Sequence, residues 1–391
     1  MSELSQKTTY SHESEDFSQT LMLGLFSLLL FSGLFDLLLA EHKNMLPASP
    51  LFLALIVLLA ALTYPRLSNR TAVAIFSVNG YLYISLALAI PADDFHVLDF
   101  FLIFKPIIFL LFALWIAKSR RLRLNVEQFW SVILWVFLLK YLFTRILGLD
   151  DRPQVFEEQN FELLFIVLIA YYIHARVRSL KKQEFFKLVM LFVLAGSRSG
   201  IVTLVIMLVL TTWRTQGISG LARMWWVLLP SAAIATYIFM SRLNGGSLMS
   251  IDRVQFAFLF LDETREWSIG QFLIGARPIT PLSVGTCDNM YRSYSSTFSF
   301  VDPRICYSTV FHSFLLRAVF DHGVIGLFLI VAGFYIALRH AGNSRFDTRS
   351  VLLLIFLNGL SVSGFGNTYA FLGLVPFLLL PPKAGRKLSF T

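Results

Sequence analysis

Residues 98–117 read LDFFLIFKPIIFLLFALWIA, a run in which one carboxylate, one lysine and one proline interrupt seventeen apolar side chains. A helix of about 20 residues is roughly 30 Å long, which is the thickness of a bilayer's hydrocarbon core. Runs of this kind recur near 21–40, 48–64, 71–90, 128–148, 159–177, 185–196, 199–213, 224–240, 312–338, 350–364 and 368–381. The expected fold is therefore all-α, a polytopic membrane helical bundle of about twelve transmembrane helices. Composition agrees, because 56% of residues are hydrophobic and 15% charged, with mean hydropathy +0.69. That exceeds the roughly half-apolar usage of soluble domains. One transmembrane domain, 21–391, takes nearly the whole length behind a cytoplasmic N-terminal tail, 1–20. The tail carries Glu3, Glu13, Glu15 and Asp16 against Lys7, which is not the basic start of a cleavable signal peptide.

The net charge of +9 says little about partners until the charges are placed. Nineteen Lys and Arg fall in the alternate connections 64–70, 118–127, 176–187, 213–223, 339–349 and the tail 382–391. The short connections between them hold only Lys43 and Arg152 against seven carboxylates, Glu41, Asp93, Asp94, Asp150, Asp151, Glu157 and Glu158. By the positive-inside rule the first set is cytoplasmic and the second periplasmic. Both termini are then expected in the cytoplasm of a bacterium, the chain in its inner membrane, and no nucleic-acid partner is implied.

The same alternation puts 241–311, the longest polar segment, on the periplasmic side. Ser250 or Asp252 is placed to cap a short helix through about Glu266, whose Val254, Phe258 and Leu261 recur at helical spacing and suit a membrane surface. The rest, with Pro278, Pro281 and Gly285, reads as irregular loop. The only two cysteines, Cys287 and Cys306, both lie here. In an oxidising compartment they read as a disulfide rather than a metal site, since no second pair of ligands accompanies them. No inverted internal repeat of the transporter kind is visible.

Basic residues inside apolar spans are costly and usually face a bundle interior or a wet cavity. Five occur, Lys105, Lys140, Arg145, Arg198 and Arg317, and all but Arg198 count to the periplasmic half of their spans. An anion in the outer leaflet accounts for that bias; snorkelling, or pairing with Asp36, Asp99, Glu162 or Asp321, is the structural alternative. For Arg317 an i,i+4 pair with Asp321 competes directly. Arg198 lies in Gly196-Ser197-Arg198-Ser199-Gly200 between two arms that are short for full spans. It is expected at the floor of a periplasmic pocket, unless the turn is an ordinary hairpin tip. Six further arginines and no lysine lie in the long loop, and guanidinium suits bidentate binding of phosphate oxygens; Arg253 and Arg277 are the candidates. His312 opens the tenth span beside Arg317, where the loop re-enters the membrane. His12, His42, His96, His174 and His340 read as uninvolved, and no zinc spacing, phosphate-binding glycine loop or catalytic carboxylate pair has a supporting context.

The Ser-Arg-Ser-Gly turn, Ile251-Asp252-Arg253 after a middle helix, the long outer loop, and His312 with Gly323-Val324-Ile325-Gly326-Leu327 downstream resemble the O-antigen polymerase and ligase superfamily. The resemblance covers about 185–338; earlier helices match in number and hydropathy. Ser313 stands where the family often has Asn, and Gly275-Ala276-Arg277 where Gly-x-Gly is common.

The resemblance implies transfer of a glycan from undecaprenyl diphosphate to a sugar hydroxyl outside the inner membrane, with neither cofactor nor metal. It also implies a flippase and a chain-length regulator as pathway partners, with the bilayer as solvent. Arg198 and Arg253, with His312, are then the catalytic candidates, and Arg198, Arg277, Arg317, Lys105 and Lys140 the diphosphate-binding ones. A diphosphate leaving group needs cations rather than a proton, and the acceptor hydroxyl needs a base of the kind His312 supplies. Tyr291, Tyr294 and Tyr307 suit sugar stacking or a polyprenyl tail. Two alternatives stay open: an O-antigen ligase acting on lipid A core, and a transporter or flippase of an anionic lipid-linked glycan, to which buried cations are equally suited.

Overall fold

A computed structural model describes residues 48–63, 65, 67–91, 95–117, 126–150, 152–156, 158–223, 229, 233, 252–294 and 297–379. The tail 1–20, the first span at 21–40 with Asp36, the span at 224–240 apart from residues 229 and 233, the start of the long loop at 241–251 with Ser250, most of the connection 118–127 and the tail 382–391 lie outside the described residues.

Thirteen α-helices are described. They are α1 (Ala48–Leu62), α2 (Asn69–Ala89), α3 (Val97–Ile116), α4 (Val126–Ile146), α5 (Gln159–Tyr172, continued by a π-turn Ile173–Val177), α6 (Lys182–Ala195) and α7 (Arg198–Arg223). There follow α8 (Asp252–Glu263), α9 (Ile269–Ile274), α10 (Val284–Tyr294), α11 (Phe314–His340), α12 (Arg345–Gly359) and α13 (Thr368–Leu379).

Six helices are long and apolar enough to cross a membrane: α2, α3, α4 from Phe129, α5 with its π-turn, α7 to Gly217, and α11. That marks a multi-pass membrane protein; among the described residues six helices meet that length, fewer than the ten of the twelve expected spans that fall there. Hydropathy overcounts because a helix enclosed by other helices is as apolar as one in lipid. In α13 every residue from Thr368 to Leu379 is buried, and that helix packs on α5, itself buried along nearly its whole length. By contrast α2 buries only Thr71, Ser85 and Ala89 and turns Phe76, Tyr83, Ile84 and Leu88 outward. The arms around Arg198 differ too: α6 has fourteen residues, whereas the second arm runs from Arg198 well past the expected 213.

Described residues of four of the alternate connections, 118–127, 176–187, 213–223 and 339–349, meet at one end of the bundle. There Asp347, fully buried at the start of α12, receives the guanidiniums of Arg214 from α7 and of Arg176 from the π-turn, the latter at 3.3 Å. Arg176 also donates to Asn343 Oδ1 at 2.6 Å. Nearby, Arg178 bridges Glu127 on α4 at 2.6 Å and Glu184 on α6 at 2.7 Å. The hydrogen bond from Arg178 holds the Glu184 carboxyl below its usual range, so this clamp's contribution is present at neutral pH and is lost on acidification.

The 252–320 region is more ordered than its sequence suggests. Besides α8, which ends at Glu263 rather than near Glu266, α9 and α10 are helical where irregular loop was expected. They enclose a second core of Phe256, Phe260, Leu282, Met290, Phe298, Phe311 and Phe320, separate from that of the bundle. Of the expected outward face of α8, Phe258 and Leu261 are exposed and Val254 is half-buried, while Phe256 and Phe260 point inward. Cys287 and Cys306 are joined, with 5.5 Å between their Cα atoms, and both are buried in this core. Alkylation of the unreduced protein should therefore modify neither cysteine. Reduction should cost the cap about 3 kcal/mol by loop-closure arithmetic, read as a lower melting temperature; labelling of both without reductant would remove the pairing.

A break in α11 seats the cap on the bundle. Gly323 has φ +67°, and its α-hydrogens face the backbone of Leu273 and Ile274 so closely that a Cβ would lie 2.2 Å from Leu273 O. Gly275, at φ +88°, meets His322 and Gly323 N in return, and Ala276 N donates to Phe320 O at 2.7 Å. The expected continuous span 312–338 is thus two helical pieces that meet at Gly323. A side chain at either glycine would be strained by its φ and would strike backbone.

Candidate functional site

At the other end of the bundle a cavity of about 750 Å³ opens where the α4–α5 loop, the α6–α7 turn, α8, α10 and the start of α11 meet. Arg198, Arg253 and His312 all line it.

The turn that carries Arg198 is fixed from three sides. Gly196 ends α6 in the left-handed conformation, φ 62° and ψ 20°, which lets α7 begin two residues later with Arg198 as its first residue. Arg145 Nε donates to Leu194 O at 2.9 Å, and Gln159 Nε2 to Ala195 O at 2.7 Å. Asn160 Oδ1 accepts from Ser197 Oγ at 2.6 Å and Ser199 Oγ at 3.0 Å. Ser197 Oγ in turn accepts Gly200 N at 3.1 Å, so it caps α7. The guanidinium is therefore set at the positive end of a long helix, where an anion is favoured twice over.

His312 sits between cap and bundle. Its ring packs on Tyr294 from α10, centroids 4.7 Å apart, and on Phe256 from α8 at 5.7 Å. The residues after it are tied to the far end of α12: Ser313 Oγ donates to Gly359 O at 3.4 Å and Phe314 N to Val362 O at 2.9 Å. Ser313 thus serves as an anchor at the position where the resembled family often has Asn. Arg253, on the exposed side of α8, and Arg152 add to the cationic lining.

The other four expected cation sites do not line this cavity. Arg317 Nη2 donates to Leu102 O at 3.1 Å, within reach of Asp321 one turn on, which accepts from Ser308 Oγ at 2.6 Å. Lys105 lies 5.6 Å from the Phe109 ring centroid. Lys140 is buried on α4, and Arg277 is exposed beyond α9. Of the tyrosines, Tyr294 lines the cavity, Tyr307 is buried in the bundle core, and Tyr291 is exposed. Asp99 accepts Ser299 Oγ at 2.7 Å, and Glu162 accepts the amides of Val155 and Phe156 at 2.9 and 2.6 Å.

Sequence reasoning missed the α4–α5 loop. Asp150, Arg152, Gln154, Glu158, Gln159 and Asn160 all line the cavity. Their density over eleven positions between two apolar spans was the available signal, read there only as topology.

Chemically, two guanidiniums and a helix N-terminus can hold a doubly charged anion, and an imidazole beside them can move a proton. No cluster of three His, Cys, Asp or Glu side chains able to hold a metal occurs among the described residues. The fold and cavity define an all-α, multi-pass membrane protein with a polar site at one end of its bundle. No family model, curated protein or solved structure matches the chain.

Proposed function

We propose that this protein is a glycosyltransferase that joins undecaprenyl-diphosphate-linked oligosaccharide repeat units into a longer polysaccharide on the outer face of a bacterial inner membrane. The observation that carries the reading is the convergence on one cavity of Arg198, Arg253 and His312, which come from three separate stretches of the sequence. The family resemblance on the same residues supports it. Arg198, Arg253 and the α7 N-terminus hold the diphosphate and take up the charge that develops as the glycosyl bond breaks. His312 removes the proton from the acceptor hydroxyl as it attacks. Bulk water is limited by the cap, whose Phe256 and Tyr294 flank the imidazole.

The variant Arg198→Lys tests the donor half of this assignment. It keeps the charge and loses the planar fork, and a charge-assisted hydrogen bond is worth about 1.5–3 kcal/mol. The KM for lipid-linked donor should rise roughly 10- to 100-fold, with folding unchanged by melting temperature. An unaltered donor KM would take Arg198 out of the diphosphate site. Transfer to lipid A core, with no chain extension, would make the protein a ligase.

A further inference from the structure

The cavity holds polar groups that the transfer chemistry above does not use. Gln159 and Asn160 are engaged in holding the Arg198 turn. Asp150, Gln154 and Glu158 also line the cavity. Asp150 shapes its own loop by accepting Arg152 N at 2.8 Å. Carboxylates accept hydrogen bonds from hydroxyls, and a primary amide both donates and accepts, so this trio is suited to the closely spaced hydroxyls of a sugar ring. A diphosphate has no hydroxyl to offer such groups, and carboxylates repel it.

Charge then narrows the class of sugar. Among the described residues that line the cavity, Arg152, Arg198 and Arg253 oppose Asp150 and Glu158, an excess of one positive charge. A diphosphate diester bears a negative charge on each phosphate, so with donor bound the balance becomes negative. A second anion entering beside two carboxylates is disfavoured, whereas a neutral ring is indifferent and an ammonium is attracted.

We propose that Asp150, Gln154 and Glu158 form the acceptor-sugar subsite, selecting a neutral or amino sugar and rejecting a uronic acid. This deepens the polymerase reading and rests on it for the identity of the acceptor. Asp150 and Glu158 determine specificity; neither exchanges a proton with substrate.

The test uses Ser361, which also lines the cavity from the turn after α12. With both native cysteines bonded to each other, Ser361→Cys provides a single thiol. Its reaction with a small charged thiol reagent is timed in nanodiscs with inorganic pyrophosphate present. The methyl glycosides of glucose, glucosamine and glucuronic acid are added in turn. Glucoside and glucosaminide should slow labelling several-fold and the glucuronide should not. In Ser361→Cys carrying Asp150→Asn and Glu158→Gln, the glucuronide should protect as well as the glucoside. Equal protection by all three in the parent, protection by none, or a thiol inert throughout would overturn the subsite. Failure of the polymerase reading looks different: glycosides would protect selectively, yet lipid-linked repeat units would not be extended.

Discussion

Replacing His312 with Ala is expected to lower turnover by about 100-fold or more while leaving donor binding nearly intact. The imidazole lines the same cavity as Arg198 and Arg253 but is held by different elements, the Tyr294 and Phe256 rings and the Ser313 and Phe314 anchors. Its loss should therefore fall on kcat and spare the KM for lipid-linked donor, the reverse of Arg198→Lys. Measuring both constants with extracted repeat units separates the roles. Full extension activity in His312→Ala would end its assignment as base, and a rise in donor KM alone would move it to the diphosphate site.

The largest effect on stability should come from Asp347→Ala at the opposite end of the bundle. Asp347 is fully buried and receives Arg176 and Arg214, with Tyr171 Oη donating at 3.4 Å. Removing its carboxylate leaves two guanidiniums, on different helices, in a poorly solvated place without their counter-charge. Breaking a buried ion pair from one side costs roughly 3–5 kcal/mol. The purified variant should melt well below the parent and express poorly, whereas Arg304→Ala, at an exposed pair with Asp302, should change neither. An Asp347→Ala protein as stable as the parent would show that the arginines find other acceptors.

What the sequence made legible follows from how strong each local signal is. Arg198 and His312 stood out because a charge or an imidazole at the edge of an apolar run is expensive, and few other reasons exist for it. Arg145 had the same signal but is used differently, capping the α6 C-terminus through Leu194 O. The helices were legible as apolar runs, but which of the described ones are long enough to cross was not, because α13 among its neighbours and a helix in lipid share one composition. The break at Gly323 was hidden inside an apolar stretch; its cause is the backbone of Leu273, some fifty residues earlier. For α9 a signal did exist: Ser268 and Gln271 form a capping box, with Ser268 Oγ accepting Gln271 N at 3.3 Å. In α10, Cys287, Met290 and Tyr294 at helical spacing mark the face that packs on the second core. For Gln159 and Asn160 the density of polar residues before α5 was the one signal, and their particular task appears only when the Arg198 turn lies against them.

Chain extension by the purified protein tests the central claim most directly. Reconstituted with undecaprenyl-diphosphate-linked repeat units as sole substrate, without added nucleotide, metal or lipid A core, it should convert them into a ladder of longer glycans and release undecaprenyl diphosphate. The Arg198→Lys and His312→Ala proteins should be impaired in that reaction. Repeat units that remain unextended, in a preparation whose melting temperature shows it folded, would contradict the account.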